Sequence, residues 1–246
     1  MLFVILSIVL QVALVVHVVK TGRPTMWIWI IIMLPLAGMI AYFLIELLPD
    51  LLGTRTGRQA THNLKKIINP NRNLNDAALN YSISDTVENS LQLARECLDK
   101  QMYDEAKRLY EKCLTGLHKD DPDIMFGLAR AEHGLQHHAA VKALLDELIA
   151  TNPNYKNHDA HLLYAVTLEM LGEIDKALEE YVVLDRYYPG PEPTYRYAAL
   201  LKQQGRVAEA KQLLEKILTA AKTSGRHYNS LHKEWINKAK AILREC

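Results

Sequence analysis

The 246-residue sequence is poor in cysteine and carries almost no net charge. Cys97, Cys113 and Cys246 are an odd number of thiols without close spacing, which excludes a disulfide framework. Cys113 lies in a helical pattern and reads as a small core residue in preference to a reactive thiol. A reducing compartment fits this usage. The 29 basic residues balance 28 acidic ones, a formal net charge of +1, so nothing points to nucleic acid. Catalytic signatures are missing too: there is no glycine-rich phosphate loop, no Gly-x-Ser-x-Gly elbow and no Cys-His signature. No enzyme and no cofactor are expected. His133-x3-His137-His138 has ligand-like spacing, but Gly134 and Gln136 place it around an interhelical turn, and a structural zinc site needs four convergent ligands.

Charge is also nearly absent from the first 49 residues, which hold only Lys20, Arg23 and Glu46; the other 197 carry 27 basic and 27 acidic residues. Leu2 to Val19 is eighteen residues without a formal charge, interrupted only by Ser7, Gln11 and His17, and is long enough to span a bilayer. Lys20 and Arg23 follow this run instead of preceding it, so it reads as a retained anchor, not as a cleaved signal peptide. Met26 to Ile45 supplies twenty more uncharged residues, with Trp27 and Trp29 near one end and Tyr42 near the other, where amphipathic rings favour the interface. The short turn 20–25 then predicts a two-span hairpin with both ends on one side. Two basic residues in the turn against Arg55, Arg58, Lys65, Lys66 and Arg72 beyond it place the downstream body in the cytoplasm.

Trp27, Trp29 and the stretch Pro35-Leu-Ala-Gly38-Met-Ile-Ala-Tyr42-Phe-Leu44 resemble the two-helix N-terminal membrane domain of bacterial cardiolipin synthases and other phospholipase D relatives. The resemblance implies an anchor in a bacterial inner membrane. It implies no lipid chemistry, because the family's His-x-Lys-x4-Asp motif is absent: His62 has its lysine three positions on, at Lys65. Residues 53–84 are rich in Asn, Thr, Gly and Arg and read as a spacer, with short helices at 63–68 or 75–81 and basic residues either solvated or near lipid head groups.

A repeat follows. Ala94, Ala129, Ala165 and Ala198 are spaced by 35, 36 and 33 residues. Twelve residues beyond each stand Ala106, Val141, Ala177 and Ala210, then Tyr110, Leu145, Tyr181 and Leu214, then Cys113, Leu148, Leu184 and Ile217. Small residues let two antiparallel helices approach, and larger apolar ones fill the groove to the next pair. Gly172 and Gly205 mark equivalent turns, with Gln101 and Gln136 in their place earlier; Asp85-x-x-Glu88 reads as a capping box and Asp121-Pro122 as a helix start. These columns resemble the tetratricopeptide-repeat family, without its Trp-x2-Leu-Gly-x2-Tyr opening and with extra residues before Pro122 and around 155–158. Tyr228 to Glu245 reads as a closing amphipathic helix with Leu231, Trp235, Ile236, Ala239 and Ile242 or Leu243 on one side.

The expected fold is therefore all-α: a transmembrane helical hairpin (1–50, spans 2–19 and 26–45), a basic polar linker (51–84), four tetratricopeptide-like helix pairs (85–222) and a capping helix (226–246). The register projects a partner-binding groove along the first helices: Leu91, Phe126, Leu162 and Tyr195, then Arg95 and Arg130, then Leu98, His133, Glu169 and Lys202. The apolar column serves either a partner or internal packing. Glu88, Asp123, Asp159 and Glu192 recur in each first turn, either as an acidic stripe for a basic ligand or, the stronger reading, where carboxylates meet the helix dipole favourably. A carboxylate clamp for chaperone tails is not expected. The sequence thus predicts a membrane-anchored, non-catalytic adaptor binding a protein partner through this groove and lipid through residues 1–50. The alternative is an accessory subunit of a lipid-handling or envelope-assembly enzyme, contacted through the hairpin. Oligomeric state is left open.

Overall fold

A computed structural model of the chain describes residues 2–47 and 71–245, with side chains from residue 7 on and not at residue 35. The expected spacer over 51–70, with Arg55, Arg58, Lys65 and Lys66, and Cys246 lie outside the described residues. The chain divides into two compact units, residues 1–72 and 73–246. Every regular element among the described residues is helical.

The N-terminal unit contains α1 (Leu2–Lys20), α2 (Met26–Met33) and α3 (Pro35–Tyr42), the last running into a π-turn at Phe43–Leu47. The expected second span over 26–45 is corrected here, because it is not one rod. Proline at 35 has no N–H to donate to the Ile31 carbonyl four residues back, and the residue before a proline is pushed out of the helical region. Leu34 accordingly sits at φ −126°, ψ 78°. The chain then reverses. The Tyr42 and Trp27 rings meet edge to face at 5.3 Å, and Arg23 pairs with Glu46 at 2.6 Å. The His17 Nδ1 lies 2.9 Å from the Tyr42 hydroxyl, tying α3 back to the end of α1. Gly38 permits the close return: a Cβ there would stand 2.3 Å from the Ile30 carbonyl oxygen. Gln11 Nε2 donates to the orphaned Ile31 carbonyl at 2.9 Å, replacing the bond that residue 35 cannot make. Among the described residues no helix is long and apolar enough to cross a membrane.

The second unit opens with α4 (Arg72–Ile83), followed by the pairs α5 (Val87–Asp99) and α6 (Tyr103–Cys113), α7 (Pro122–Gly134) and α8 (His138–Thr151), α9 (His158–Met170) and α10 (Ile174–Tyr187), α11 (Glu192–Gln203) and α12 (Val207–Thr223). All sixteen positions of the four repeat columns are at most 3% exposed. The 33- to 36-residue spacing thus marks the seam where each helix pair closes on itself and on its neighbour. Each such unit buries its apolar face only because the next one covers it.

Four equivalent turns end the first helices in the left-handed region: Gln101 at φ 59°, Gln136 at 63°, Gly172 at 76° and Gly205 at 78°. In each, the following N–H reaches five residues back, as from Met102 to Cys97 at 2.9 Å and from Arg206 to Leu201 at 2.9 Å, closing a Schellman motif. The glutamines carry a Cβ where glycine has none, a strain of about 1 kcal/mol each. Gln101→Gly and Gln136→Gly are therefore expected to raise stability by roughly 0.5–1 kcal/mol each, read as a higher thermal midpoint; Gly172→Ala is expected to lower it.

Three local expectations are corrected. The N-cap of α5 is Thr86, whose hydroxyl accepts from Asn89 N at 3.2 Å; Asp85 instead binds the Ser90 hydroxyl and Lys112. The short helix read at 75–81 in the linker is longer, forming α4, and packs on the first repeat, with Ala77 fully buried and Leu74 and Tyr81 beside it. The closing helix is broken at His232 into α13 (Arg226–Leu231) and α14 (Lys233–Arg244); Ile236 and Ala239 are buried while Leu231 is 67% exposed. Asp121 caps α7 as its sequence predicts, accepting from Asp123 N and Ile124 N at 3.0 and 3.2 Å.

Candidate functional site

The first helices of successive repeats bring Leu98 of α5, Phe126, Arg130 and His133 of α7, and Leu162 of α9 around one cleft of about 330 Å³, with Asp159 and Glu192 at its edge. Leu98 and Leu162 form its apolar floor and are themselves core residues, 6% and 8% exposed. Phe126 is half-buried and Arg130 exposed. Leu91 and Arg95 line a second cleft of about 360 Å³ with Val87, Glu88 and His118.

The remaining projected positions lie elsewhere. Glu169 accepts from the Tyr181 hydroxyl at 2.6 Å and faces Arg196 at 3.5 Å. Tyr195 packs on Trp235 of α14 at 5.4 Å, and Lys202 pairs with Glu245 at 2.8 Å. The last helix thus engages the C-terminal part of the projected strip. Trp235 also receives Arg196 at 5.4 Å and Lys238 at 4.2 Å over its ring, contacts worth about 0.5–1 kcal/mol at such sites.

Charge in the groove is asymmetric in its pairing. Asp159 accepts from the Tyr188 hydroxyl at 3.1 Å and Glu192 from Arg196 at 2.9 Å. Asp123 accepts from Tyr155 at 2.9 Å. Arg95 and Arg130, by contrast, have no hydrogen-bond or ion-pair partner among the described residues. The Arg130 guanidinium beside the Leu98 and Leu162 floor is suited to a carboxylate flanking an apolar side chain, and Arg95 offers a second cation in the neighbouring cleft.

A larger cleft of about 680 Å³ lies between α8, the 152–157 loop, α9 and α10. Its polar lining is internally paired: His161 bridges Tyr187 at 2.6 Å and Glu180 at 2.5 Å, and Tyr164 donates to Asp146 at 2.8 Å. Burial, reinforced by Asp146, pushes the Tyr164 phenol up to about 12. Size alone favours this cleft, but these hydrogen bonds tie α9 to α10 and to α8, whereas Arg130 in the smaller groove has no such partner.

The His133 and His138 rings lie 5.8 Å apart, tilted at 57°, with their Nδ1 atoms buried and unpartnered, while His137 turns to Glu132 at 2.8 Å. Burial, with the His138 and Arg196 charges, holds His133 below the ordinary histidine value. Among the described residues no three ligating side chains are placed to hold a metal ion.

Glu132, beside His133, is a buried acid that the sequence reading passed over. It is 7% exposed and also pairs with Lys107 of α6 at 2.8 Å, joining the first repeat to the second. Burial alone would raise its carboxyl, but the bonds from Lys107 and His137 outweigh that and hold it below the usual range. A depressed carboxylate contributes stability above its unfolded value of about 4.3 and loses it as pH falls through the lower folded value. Glu132→Gln is therefore expected to lower stability by about 1–3 kcal/mol at neutral pH, with the deficit shrinking below about pH 4 in acid titrations of urea unfolding.

The tetratricopeptide-repeat family model matches residues 87–115. No curated protein matches the sequence. Among solved structures, the crystal structure of MamA is 21% identical with a TM-score of 0.53, the match covering 61% of this chain and 86% of that one. A thermophilic tetratricopeptide-repeat protein of Thermus thermophilus is 21% identical with a TM-score of 0.51, covering 69% and 89%. YrrB, described as a tetratricopeptide-repeat protein with an unusual peptide-binding site, is 18% identical with a TM-score of 0.53, covering 74% and 88%. The repeat body of this chain accordingly has the all-α solenoid fold of tetratricopeptide-repeat proteins, with the repeat's sequence pattern matched at residues 87–115.

Proposed function

We propose that the chain is a non-catalytic adaptor, attached to a bacterial inner membrane by its N-terminal unit and holding a peptide segment of another protein in the groove of α5, α7 and α9. The observation that carries this reading is the cleft of Leu98, Phe126 and Leu162 beside the unpaired Arg130. That chemistry selects an apolar anchor flanked by an acidic residue. The peptide-binding description of YrrB supports the mode, not the ligand.

Membrane attachment rests on the uncharged run Leu2–Val19 and on apolar side chains left outward on every helix of the N-terminal unit, such as Val12, Trp29, Met33 and Leu36, each at least 58% exposed. The likeness of residues 27–44 to the cardiolipin synthase membrane domain enters only as an anchor. The repeat body would then face the cytoplasm, on the basic-residue argument.

The test is selection of peptides from a displayed random library on the full chain in detergent. Enrichment of apolar-acidic sequences that Arg130→Glu no longer retains supports the reading. Peptides retained equally by that variant place binding elsewhere.

A further inference from the structure

The N-terminal unit carries a topological consequence that rests on the membrane attachment proposed above. We propose that α2 and α3 form a re-entrant hairpin that enters the bilayer at Arg23, turns at Leu34 and leaves on the same side at Glu46, so that the chain does not cross the membrane between these residues.

Length comes first. Eight residues of helix rise about 12 Å, against a hydrocarbon core of about 30 Å, so neither α2 nor α3 reaches the far side. Their contacts fix the direction: Arg23 pairs with Glu46, and Trp27 with Tyr42, at one end, while Ile31 lies beside Gln11 at the other. The charged pair therefore marks the interface, while Trp27 and Tyr42, both buried, pack the two ends of the hairpin together beneath it.

Polar satisfaction supports this depth. A broken helix inside hydrocarbon leaves backbone groups that water cannot reach, and these persist only when protein supplies partners. Here Leu34 N donates to Ile30 O at 3.0 Å and Gly38 N to Leu34 O at 2.6 Å. The Ile31 carbonyl, which the proline at 35 leaves without a partner, receives Gln11 Nε2. Gln11 lies nine residues from Lys20 along α1, about 14 Å in from the interface, which explains an amide within this uncharged run. The outward surface of the hairpin, including Trp29, Ile32, Met33, Leu36 and Ile40, is at least 55% exposed and offers lipid an unbroken apolar contact.

A single side also changes the charge argument. In the basic-residue count Lys20 and Arg23 no longer weigh against the five basic residues that follow in the sequence, so the cytoplasmic side is favoured more strongly.

The experiment is thiol labelling with a membrane-impermeant maleimide in inverted and right-side-out vesicles carrying the full chain with Cys246→Ser, since Cys97 and Cys113 are buried. Thr21→Cys reports the turn, Leu34→Cys the hairpin tip, and Leu117→Cys, on a fully exposed residue, the repeats. The re-entrant arrangement predicts that Thr21→Cys and Leu117→Cys label in the same vesicle orientation, at least tenfold above the other, while Leu34→Cys labels in neither until detergent is added. Labelling of Thr21→Cys and Leu117→Cys in opposite orientations means two spans and overturns the proposal, as does labelling of Leu34→Cys without detergent. Release of the chain by alkaline carbonate with all three thiols reactive overturns membrane attachment itself, and the hairpin proposal with it.

Discussion

Replacing Tyr181 by alanine is expected to lower the stability of the repeat body by about 3–5 kcal/mol, read as a shifted urea midpoint of helical circular dichroism. The ring is fully buried at the centre of the cluster that joins the third and fourth repeats, among Ala165, Leu184, Ala198 and Leu214. Its removal leaves a cavity whose walls are packed helices that cannot collapse far. The hydroxyl contributes separately by donating to Glu169, which also faces Arg196. Tyr181→Phe is therefore expected to cost only about 1–2 kcal/mol. Since whole domains are stable by about 5–15 kcal/mol, Tyr181→Ala approaches the loss of these two repeats. In a linear array the damage is local, so the transition should broaden or split, with the first two repeats melting separately. A cost below about 1 kcal/mol for Tyr181→Ala would mean that this column is not the seam of the repeats.

The second large effect concerns binding, with little effect on stability. Arg95→Glu and Arg130→Glu change exposed, unpaired side chains, so each should leave unfolding within about 0.5 kcal/mol of the parent. Against an apolar-acidic peptide, each should weaken affinity at least tenfold, about 1.4 kcal/mol, and the pair more. Parent affinity should also fall between about 50 and 500 mM salt, since exposed charge is screened within about 10 Å at 0.1 M ionic strength. The charge-reversed double variant should lose that dependence. Fluorescence anisotropy of a labelled peptide reads both effects. Unchanged affinity in the double variant would remove the arginines from the binding surface.

The repeat register was legible because a helix pair has one place where only a small residue fits. Ala94, Ala129, Ala165 and Ala198 declare it, and the columns that follow from them are buried throughout. The same register brings Leu98, Phe126, Arg130, His133 and Leu162 to the lining of one cleft. It did not carry Tyr195 and Lys202, because position along a solenoid does not say what the closing helix covers; Trp235 and Glu245 decide that. The N-terminal unit resisted reading for another reason. Uniform hydropathy from Met26 to Ile45 hides a chain reversal, and its signals were single residues, a proline at 35, Gly38 and the lone amide of Gln11. Glu132 was passed over because its partner Lys107 is distant in sequence and on another helix pair. The α4 helix left a fainter trace in Leu74, Ala77 and Tyr81, spaced to share one helix face.

Site-specific photocrosslinking from position 126 in the full chain tests the groove most directly. With a photoreactive phenylalanine analogue at Phe126, a discrete adduct to a peptide segment bearing an apolar and an acidic residue is predicted, together with its loss on Arg130→Glu. The same analogue at Ile149, beside the larger cleft of α8, α9 and α10, is predicted to give none. An adduct from position 149 and none from position 126 would contradict the assignment of binding to the groove of α5, α7 and α9.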